Sequence, residues 1–371
     1  MSGRLILGNE AKSLGRKEKW ALLSPHLRLH GREALSYATL QDGLEYFVHD
    51  CGYIAFTTVR HPVFSPRTKP IVLSDPVCAA DDYRRIITEF LVHYPHAVFT
   101  VVSEACALVL RELKYKANCV GYEPELDIQT YNTKGDWKEL DLIKRARNEA
   151  KREGYVIREE KDIEAIDRAS LDRVTAQWLS HKRVNDREIW VYARRPVYGF
   201  EPDVRKFVAY DRDGKVIGFV FYDPMYRDGR VYGYAASISR CDEDRFGRLT
   251  TAVHMTAMDV FKEEGKEILN LCLATFVKLD AGRFNDDWGM KMFFQMSERF
   301  GDNIYNFKGL SFNKSKYRGR EKSLYFASNR LIASNDIYLA FLSSDITRSY
   351  FSTFGRLLWG MLTALRQPPA K

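Results

Sequence analysis

One segment near the end of the chain combines positive charge with aromatic side chains. Its sequence is "YNFKGLSFNKSKYRGREKSLYFAS" (305–328), with Glu321 as the only acid in it. Six basic side chains fall within it: Lys308, Lys314, Lys316, Arg318, Arg320 and Lys322. Basic groups with flanking rings suit phosphates and stacked bases. We predict that residues 311–320 form a loop whose cations point into a cleft beside a sheet; the alternative is an exposed, solvated loop.

A second basic cluster lies in the segment "WKELDLIKRARNEAKREG" (137–154), which has the pattern of a helix that stops at Gly154. Lys144, Arg147 and Lys151 share one face of that helix, because residues three, four and seven apart lie together. This face could bind an extended anion. Four acids nearby keep the alternative of an ordinary solvated face open: Glu139, Asp141, Glu149 and Glu153.

Length and composition limit the classes of protein. The 371 residues, of which 45% are hydrophobic, fit two domains of ordinary size. A net charge of +8 and a pI of about 9.0 favour nucleic acid or an anionic membrane surface as partner, with plain solubility as the alternative. The six cysteines include no C-x-x-C pair and no zinc-finger spacing, so we predict reduced core residues, no metal and no disulfide. No signal peptide and no run of apolar residues long enough to span a bilayer is recognised, which predicts a cytoplasmic protein.

The predicted elements repeat. Each half of the chain has the order strand–strand–strand–helix–strand–helix–strand, which indicates a duplicated α/β unit. The predicted helices lie at 80–95, 104–115, 245–265 and 288–301. Strands near 303–309 and 323–328 are predicted to follow. We therefore predict an α/β (α+β) fold with two tandem lobes, 1–160 and 161–345, each with a mixed central sheet.

This order of elements is that of the Gcn5-related N-acetyltransferases. Those enzymes hold the coenzyme A pyrophosphate on glycine-rich backbone at a helix N-terminus. At the corresponding place this sequence reads "RCDEDRFGRLTT", with Gly247 as its single glycine and three acids that would repel a pyrophosphate. We therefore predict a scaffold of that type without coenzyme A, and no other cofactor.

The basic segment also resembles a known family. "IYNFKGLSFNKSKYRGREKSLYFAS" is similar to the closing motif of the catalytic domain of bacterial aminoacyl-phosphatidylglycerol synthases, the lysyl- and alanyl-transferring enzymes of the multiple peptide resistance factor family. These positions match: Lys308, Gly309, Leu310, Lys314, Lys316, Tyr317, Tyr325 and Ala327. The proline and tryptophan of the motif are missing, with Gly319 and Glu321 nearby. The resemblance extends in order from about residue 36 to 328, and Ser237 stands where the family usually has an Asp.

The resemblance implies transfer of an amino acid from aminoacyl-tRNA to an acceptor. The usual acceptor is the hydroxyl of a lipid such as phosphatidylglycerol. A soluble amine or hydroxylamine is the second hypothesis, which the loss of the acid at Ser237 favours. A third hypothesis is a non-catalytic protein that binds RNA or a membrane.

Acyl transfer through an oxyanion needs positioned cations, and the implied candidates are Lys314, Lys316 and Arg240. They could equally neutralise phosphate. A carboxylate should hold the aminoacyl ammonium or take the proton of the acceptor, and Glu298 and Asp302 are the candidates. The implied contacts with tRNA come from these side chains: Lys308, Arg318, Arg320, Lys144, Arg147 and Lys151. Asp75 is a weaker candidate, because Asp-Pro often only starts a turn.

Two further features bear on function. No serine or cysteine has the glycine setting of a nucleophile, and we interpret His254 as a core or surface residue, so direct attack by the acceptor is the simpler mechanism. The tail 346–371 has apolar residues at helical spacing, with arginines and Trp359. It predicts an amphipathic helix that lies on a membrane through 346–366 or packs on protein. The oligomeric state is not determined by these patterns.

Overall fold

The computed structural model describes residues 3–133, 135, 138–180, 190–242, 246–300 and 307–346. The first half of the chain contributes strands β1 (Arg4–Ile6), β2 (Glu45–His49), β3 (Gly52–His61), β4 (Ser65–Leu73), β5 (Val77–Cys78), β6 (Val98–Val102) and β7 (Lys116–Asp127). The second half contributes β8 (Val156–Glu159), β9 (Arg205–Tyr210), β10 (Val216–Arg227), β11 (Arg230–Cys241), β12 (Ile268–Asn270), β13 (Ala274–Thr275) and β14 (Arg320–Ser328).

The helices flank this sheet. They are α1 (Gly8–Ser13), α2 (Arg16–His30), α3 (Tyr83–His93), α4 (Glu104–Glu112), α5 (Leu140–Arg152), α6 (Arg168–Ser180), α7 (Phe246–Glu263), α8 (Trp288–Phe300), α9 (Phe307–Ser315) and α10 (Ala333–Ser343). Local sequence explains several boundaries. For example, α4 begins after Ser103, whose hydroxyl accepts from the backbone N–H of Cys106. The β10–β11 turn is Asp228-Gly229, with φ of 52° and 82°, as a two-residue hairpin requires.

All strands of the described residues belong to one 14-stranded mixed sheet, so the predicted α/β class is confirmed. Its order is β1-β2-β3-β4-β6-β14-β7-β12-β11-β10-β9-β8, with β5 on β3 and β13 on β7. In the first half the antiparallel strands β2, β3 and β4 are followed by β6, parallel to β4. In the second half the antiparallel strands β9, β10 and β11 are followed by β12, parallel to β11. This repeated pattern is the tandem acetyltransferase-like arrangement.

Strand β14 joins the two halves. It lies between β6 and β7 of the first half, with Tyr325 opposite Val102 on one side and Leu324 opposite Gly121 on the other. Leu324, Tyr325 and Phe326 are buried there, and full burial of such a side chain stabilises the fold by about 1.5–3 kcal/mol. The other edge of β7 pairs with β12 of the second half. The cavity described below therefore borders both halves.

The structure corrects two local predictions. Residues 311–315, predicted as loop, form the end of α9, and residues 307–309, predicted as strand, form its start. Only 316–319 connect α9 to β14. Gly319 makes this short connection fit, because a Cβ on it would lie 2.8 Å from the carbonyl oxygen of Glu125. The strand predicted near 323–328 is confirmed, and residues 301–306 lie outside the described part.

The proposed lobe boundary at residues 160/161 stays a prediction. The sheet shows that β8, placed in the first lobe by the sequence, pairs with β9 of the second half. Ile346 is the single residue of the predicted C-terminal helix within the described ranges, so the tail from 347 to 371 lies outside them.

Candidate active site

A cavity of about 290 Å³ lies where the two halves meet. Strand β11, helices α7 and α10, the end of α9 and the segment between β12 and β13 contribute most of its wall, and Thr100 and Val101 of β6 close it from the first half. Most of the wall is apolar. The polar side chains of its second-half wall are Tyr192, Ser237, Ser239, Arg240, Thr250, His254, Thr275, Asn313, Lys314, Lys316 and Tyr317. Among the lining residues that the structure describes, none is a carboxylate.

Lys314 enters this cavity from the last turn of α9. Its Nζ donates to the carbonyl oxygens of Cys272 and Leu273 at 3.0 and 2.7 Å. The chain bends sharply at Cys272, whose φ is 60°, and this bend turns both carbonyls towards the ammonium. Burial lowers the pKa of Lys314 to about 8. This lysine is therefore mostly protonated at pH 7 and loses its charge in mildly alkaline solution.

Lys316 follows directly after α9 and is buried. Its Nζ lies 3.4 Å from Oδ1 of Asn313 and 5.3 Å from the centroid of the Tyr317 ring. Burial lowers the pKa of Lys316 to about 8. The motif therefore places two lysines, separated by one residue, in the same enclosed space.

Arg240 reaches the cavity from β11, opposite Phe219 of β10. Its guanidinium carbon lies 3.5 Å from the ring centroid of Trp178 on α6, and Nη1 donates to the carbonyl oxygen of Ser239 at 3.0 Å. Stacking on an indole holds a guanidinium in place without neutralising its charge. Three of the five predicted catalytic residues, Arg240, Lys314 and Lys316, thus line one cavity.

A bulge in β11 adds polar groups beside these cations. Ile238 pairs with Phe221 and Ala236 with Tyr222, which leaves Ser237 as the extra residue of the bulged strand. Bulges re-aim side chains and often lie next to active sites. Ser237, which replaces the acid usual at this position in the resembling family, lines the cavity.

His254 also lines the cavity, although the sequence suggested only a core or surface histidine. Its Nδ1 lies 2.8 Å from the hydroxyl of Tyr222. Burial first, and then the charges of Lys316 and Lys314, lower the pKa of His254 to about 3, so the imidazole is neutral near pH 7. The i, i+4 spacing of Thr250 and His254 on α7 is the signal that could have placed both on this wall.

Carboxylates lie behind the wall of the cavity instead of in it. Glu123 of β7 accepts from Nδ2 of Asn270 at 3.1 Å, and burial raises the pKa of Glu123 to about 7. The negative charge of Glu123 raises the pKa of Lys314 and so offsets part of the lowering that burial causes. Asp75 accepts from the backbone N–H and hydroxyl of Ser103 at 2.8 and 2.5 Å, and burial raises the pKa of Asp75 to about 6.

The two predicted acids do not join the cations. Glu298 lies on α8, half-buried, and is not part of the cavity wall. Asp302 lies outside the described residues. Lys308 belongs to the first turn of α9, but its side chain lies outside the described part of the structure.

The arginines after α9 turn away from the cavity, contrary to the prediction of a cleft-facing set. Arg318 pairs with Glu139 at 2.8 Å, and Arg320 pairs with Glu125 at 2.5 Å. Both arginines remain more than half exposed. Because Glu139 directly precedes α5, the end of the motif is a neighbour of the basic helix.

Helix α5 presents a mixed surface. Lys144 and Lys151 are exposed, whereas Arg147 pairs with Asp259 of α7 at 2.8 Å.

A possible metal group among the described residues is His49, Asp50 and Cys51 at the β2–β3 turn, whose ligand atoms lie within 4.8 Å of one another. Arg85 already lies 3.2 Å from Asp50, and we assign no metal there.

The fold and the cavity define a mixed α/β protein of the acetyltransferase-like type with a cationic pocket between two repeated units. The sequence profile of the family described as "Phosphatidylglycerol lysyltransferase, C-terminal" matches residues 28–328. The chain therefore belongs to this family, which is one of aminoacyltransferases. The resemblance noted in the sequence is thereby confirmed.

Solved structures agree on the fold. The structure of L-PGS from Bacillus licheniformis superimposes with a TM-score of 0.67 and 19% identity, covering 88% of this chain and 96% of that one. The C-terminal domain described as that of a lysylphosphatidylglycerol synthetase from Agrobacterium fabrum superimposes with a TM-score of 0.68 and 19% identity. The match covers 90% of this chain and 100% of that one. A Corynebacterium glutamicum protein of uncharacterised function is 20% identical over 347 residues. That match covers 92% of this chain but only 42% of the relative.

No described helix is both long and apolar enough to cross a membrane.

Proposed function

We propose that the chain transfers an aminoacyl group from aminoacyl-tRNA to the hydroxyl of a lipid such as phosphatidylglycerol. The observation that carries this proposal is the convergence of Arg240, Lys314 and Lys316 on one largely apolar cavity. A phosphatidylglycerol molecule combines a phosphate with an apolar diacylglycerol. Cations in low-dielectric surroundings suit the phosphate, and the apolar wall suits the rest.

The same cations suit the chemistry. The acceptor hydroxyl attacks the ester carbonyl carbon of the donor, and the new C–O bond forms as the bond to the ribose oxygen breaks. The proton of the hydroxyl ends on that ribose oxygen. Negative charge develops on the carbonyl oxygen in between, and the Lys316 ammonium and Arg240 guanidinium are the candidates to stabilise it. Lys314, anchored by two carbonyls, is the candidate to hold a phosphate.

The donor arm would reach the cavity along the basic surface outside it. Arg318 and Arg320 lie at the exit of the motif, and Lys144 and Lys151 are exposed on the neighbouring helix α5. We propose that this surface contacts tRNA phosphates, with Arg147 adding charge from within its ion pair. Cytoplasmic aminoacyl-tRNA as donor places the reaction in the cytoplasm.

One observation favours a soluble acceptor as the second candidate. Ser237 stands in the cavity where the family usually has an acid, and the described wall holds no carboxylate. An amine acceptor can be uncharged when it attacks, so it needs no carboxylate to take its proton first. Under this alternative the donor and the oxyanion chemistry stay the same.

A partition experiment tests the proposal. Purified protein is supplied with a mixed pool of tRNAs charged with labelled amino acids, together with phosphatidylglycerol vesicles or soluble amines. We expect label in the chloroform phase and expect Lys316→Ala to abolish its appearance. Label recovered only on soluble amines selects the second candidate. Binding of tRNA that is indifferent to charging, with no label moved, would exclude transfer altogether.

A further inference from the structure

Several large apolar side chains project into solvent at one end of the molecule. Leu331 is 90% exposed, Val63 77%, Trp288 74%, Ile332 59% and Met292 41%. We call these five residues the tip patch. Single exposed apolar residues are common on proteins, but a contiguous group marks a surface that contacts something.

The tip patch is contiguous. Trp288 and Met292 of α8 and Leu331 and Ile332 of the β14–α10 loop line one open groove of about 600 Å³, together with Tyr338. Tyr338 also stacks edge-on against Phe64, the neighbour of Val63, with ring centroids 5.5 Å apart. A hydrogen bond of 3.0 Å from Nη1 of Arg330 to the carbonyl oxygen of Phe64 fastens the β3–β4 hairpin to the same loop.

The charges around the tip patch are basic. Arg60 and Arg67 are exposed on the hairpin tip, and Arg330 precedes Leu331. No acid occurs in 51–74 or in 329–335. The acids at the start of α8 are compensated, since Asp286 pairs with Arg111 and Asp287 with Lys116, each at 2.8 Å.

We propose that the tip patch docks the protein on the surface of an anionic lipid bilayer. Trp288, Leu331 and Ile332 would enter the interface between headgroups and acyl chains, while the three arginines meet lipid phosphates. Tryptophan is the residue that favours this interface most, because its ring is apolar with one polar edge. A bilayer fits better than a folded partner, because the apolar side chains come from a hairpin turn, a loop and the start of a helix and lie beside positive charge.

The position of the tip patch agrees with this role. Phe341 of α10 lines both the groove and the cationic cavity. On α8 the adjacent residues Phe293 and Phe294 face the groove and the cavity respectively. One layer of side chains therefore separates the groove from the cavity that Lys314 and Lys316 line. Docking would hold the cavity at the level of lipid headgroups.

Sedimentation with vesicles tests the docking in the absence of tRNA, so its result is independent of the proposed transfer. The full chain is mixed with vesicles of phosphatidylcholine alone or with about one third phosphatidylglycerol. We expect binding to the anionic vesicles that falls at least about tenfold in the double variant Leu331→Asp/Ile332→Asp. The matched control is Val92→Asp/Val156→Asp, which adds the same two negative charges at exposed valines of α3 and edge strand β8 and should bind as the wild type does.

A spectroscopic readout locates the contact. Tryptophan emission should shift to shorter wavelengths on anionic vesicles, and Trp288→Phe should remove most of that shift. Circular dichroism checks that the variants, all at exposed positions, keep the fold.

Three results would overturn the proposal. The first is vesicle binding by the Leu331→Asp/Ile332→Asp variant equal to that of the Val92→Asp/Val156→Asp control. The second is loss of binding in a full-length Leu358→Asp/Leu362→Asp variant while the tip variant still binds, since the tail would then be the docking element. The third is a concentration-dependent dimer that the tip variant abolishes without a change in vesicle binding.

Discussion

Each half of the sheet contains one pair of parallel neighbouring strands that separate at their ends, and the two gaps differ. In the first half, β4 and β6 pair as far as Leu73 and Thr100. Beyond that point Asp75 accepts two hydrogen bonds from Ser103 and one from Tyr83, at 3.0 Å. The first gap is therefore closed by a buried carboxylate that has no opening to the cavity.

In the second half, β11 and β12 pair as far as Ala235 and Asn270. Beyond that point Ser237 and the segment 271–273 separate and line the cavity, and Lys314 binds the carbonyl oxygens of Cys272 and Leu273. The same scaffold thus carries a closed, hydrogen-bonded gap in one half and an open, cationic gap in the other. The repeated topology therefore supplies two equivalent positions, and side chains decide which of them can do chemistry.

The largest expected effect comes from removing the charges of the open gap. Lys316→Met and Arg240→Met should each lower the transfer rate by about 10²–10³-fold, because each removes a cation aimed at the developing oxyanion. Single-turnover transfer from labelled aminoacyl-tRNA measures this. Lys215→Met, at an exposed hairpin lysine, is the control. Rates within about threefold of wild type in both variants would remove these residues from the mechanism.

Opening the closed gap should change stability and leave the chemistry intact. Asp75→Ala leaves the Ser103 N–H and the Tyr83 hydroxyl without their buried acceptor, which should lower the free energy of unfolding by about 2–4 kcal/mol. Urea denaturation measures it, with Asp213→Ala in an exposed turn as control. The transfer rate per folded molecule should not change. A rate loss of about a hundredfold with unchanged stability would show that the first gap takes part in the reaction.

The pH dependence of the rate tests the charge of the open gap. Since the pKa of Lys316 is lowered to about 8, the ammonium is present below that pH and is lost above it. If the cation is the active form, the rate falls as pH rises through about 8, by about tenfold at one unit above it. Lys316→Arg should weaken this decrease, because a guanidinium stays protonated while Lys314, whose pKa is also lowered to about 8, still titrates. A rate that instead rises through pH 8 in the wild type would show that neutral lysine acts as a base.

The smallest effect is expected on helix α5, in the proposed contact surface for tRNA. The double variant Lys144→Gln/Lys151→Gln should raise the KM for aminoacyl-tRNA by about three- to tenfold, because two phosphate contacts are lost. The slope of log KM against log salt concentration should fall by about one to two. The rate at saturating donor should be unchanged. Lys12→Gln/Lys17→Gln, which removes two exposed lysines in the first half, is the control. Equal salt slopes in both double variants would place the tRNA elsewhere.

Much of this architecture could be predicted from the residue pattern. The duplicated order of elements and the α/β class follow from periodicity and turn residues, as at Asp228-Gly229. The family follows from collinear motifs, and three cationic residues of the cavity follow from one motif and one strand. The position of β14 between β6 and β7 could not be predicted, because strand pairing over such a separation in sequence leaves no local pattern.

The sequence also did not predict which basic side chains face the cavity and which face the surface. Lys314, Lys316, Arg318 and Arg320 look alike in sequence, yet two face the cavity and two face carboxylates at the surface. The cause is the helix α9, which ends at Ser315 where a loop was predicted and turns the chain at Arg318, with φ of 50°. His254 was missed because only packing brings α7 beside Lys316.

The family, the α/β class and the basic motif follow from the sequence, because they depend on local residue types and their order. Tertiary structure alone decided which gap is open, which cations are buried and where the apolar tips meet. The reason is physical: burial, and with it the lowered pKa of a lysine or the hydrogen bonding of a carboxylate, depends on chain segments that are distant in sequence and adjacent only in the folded protein.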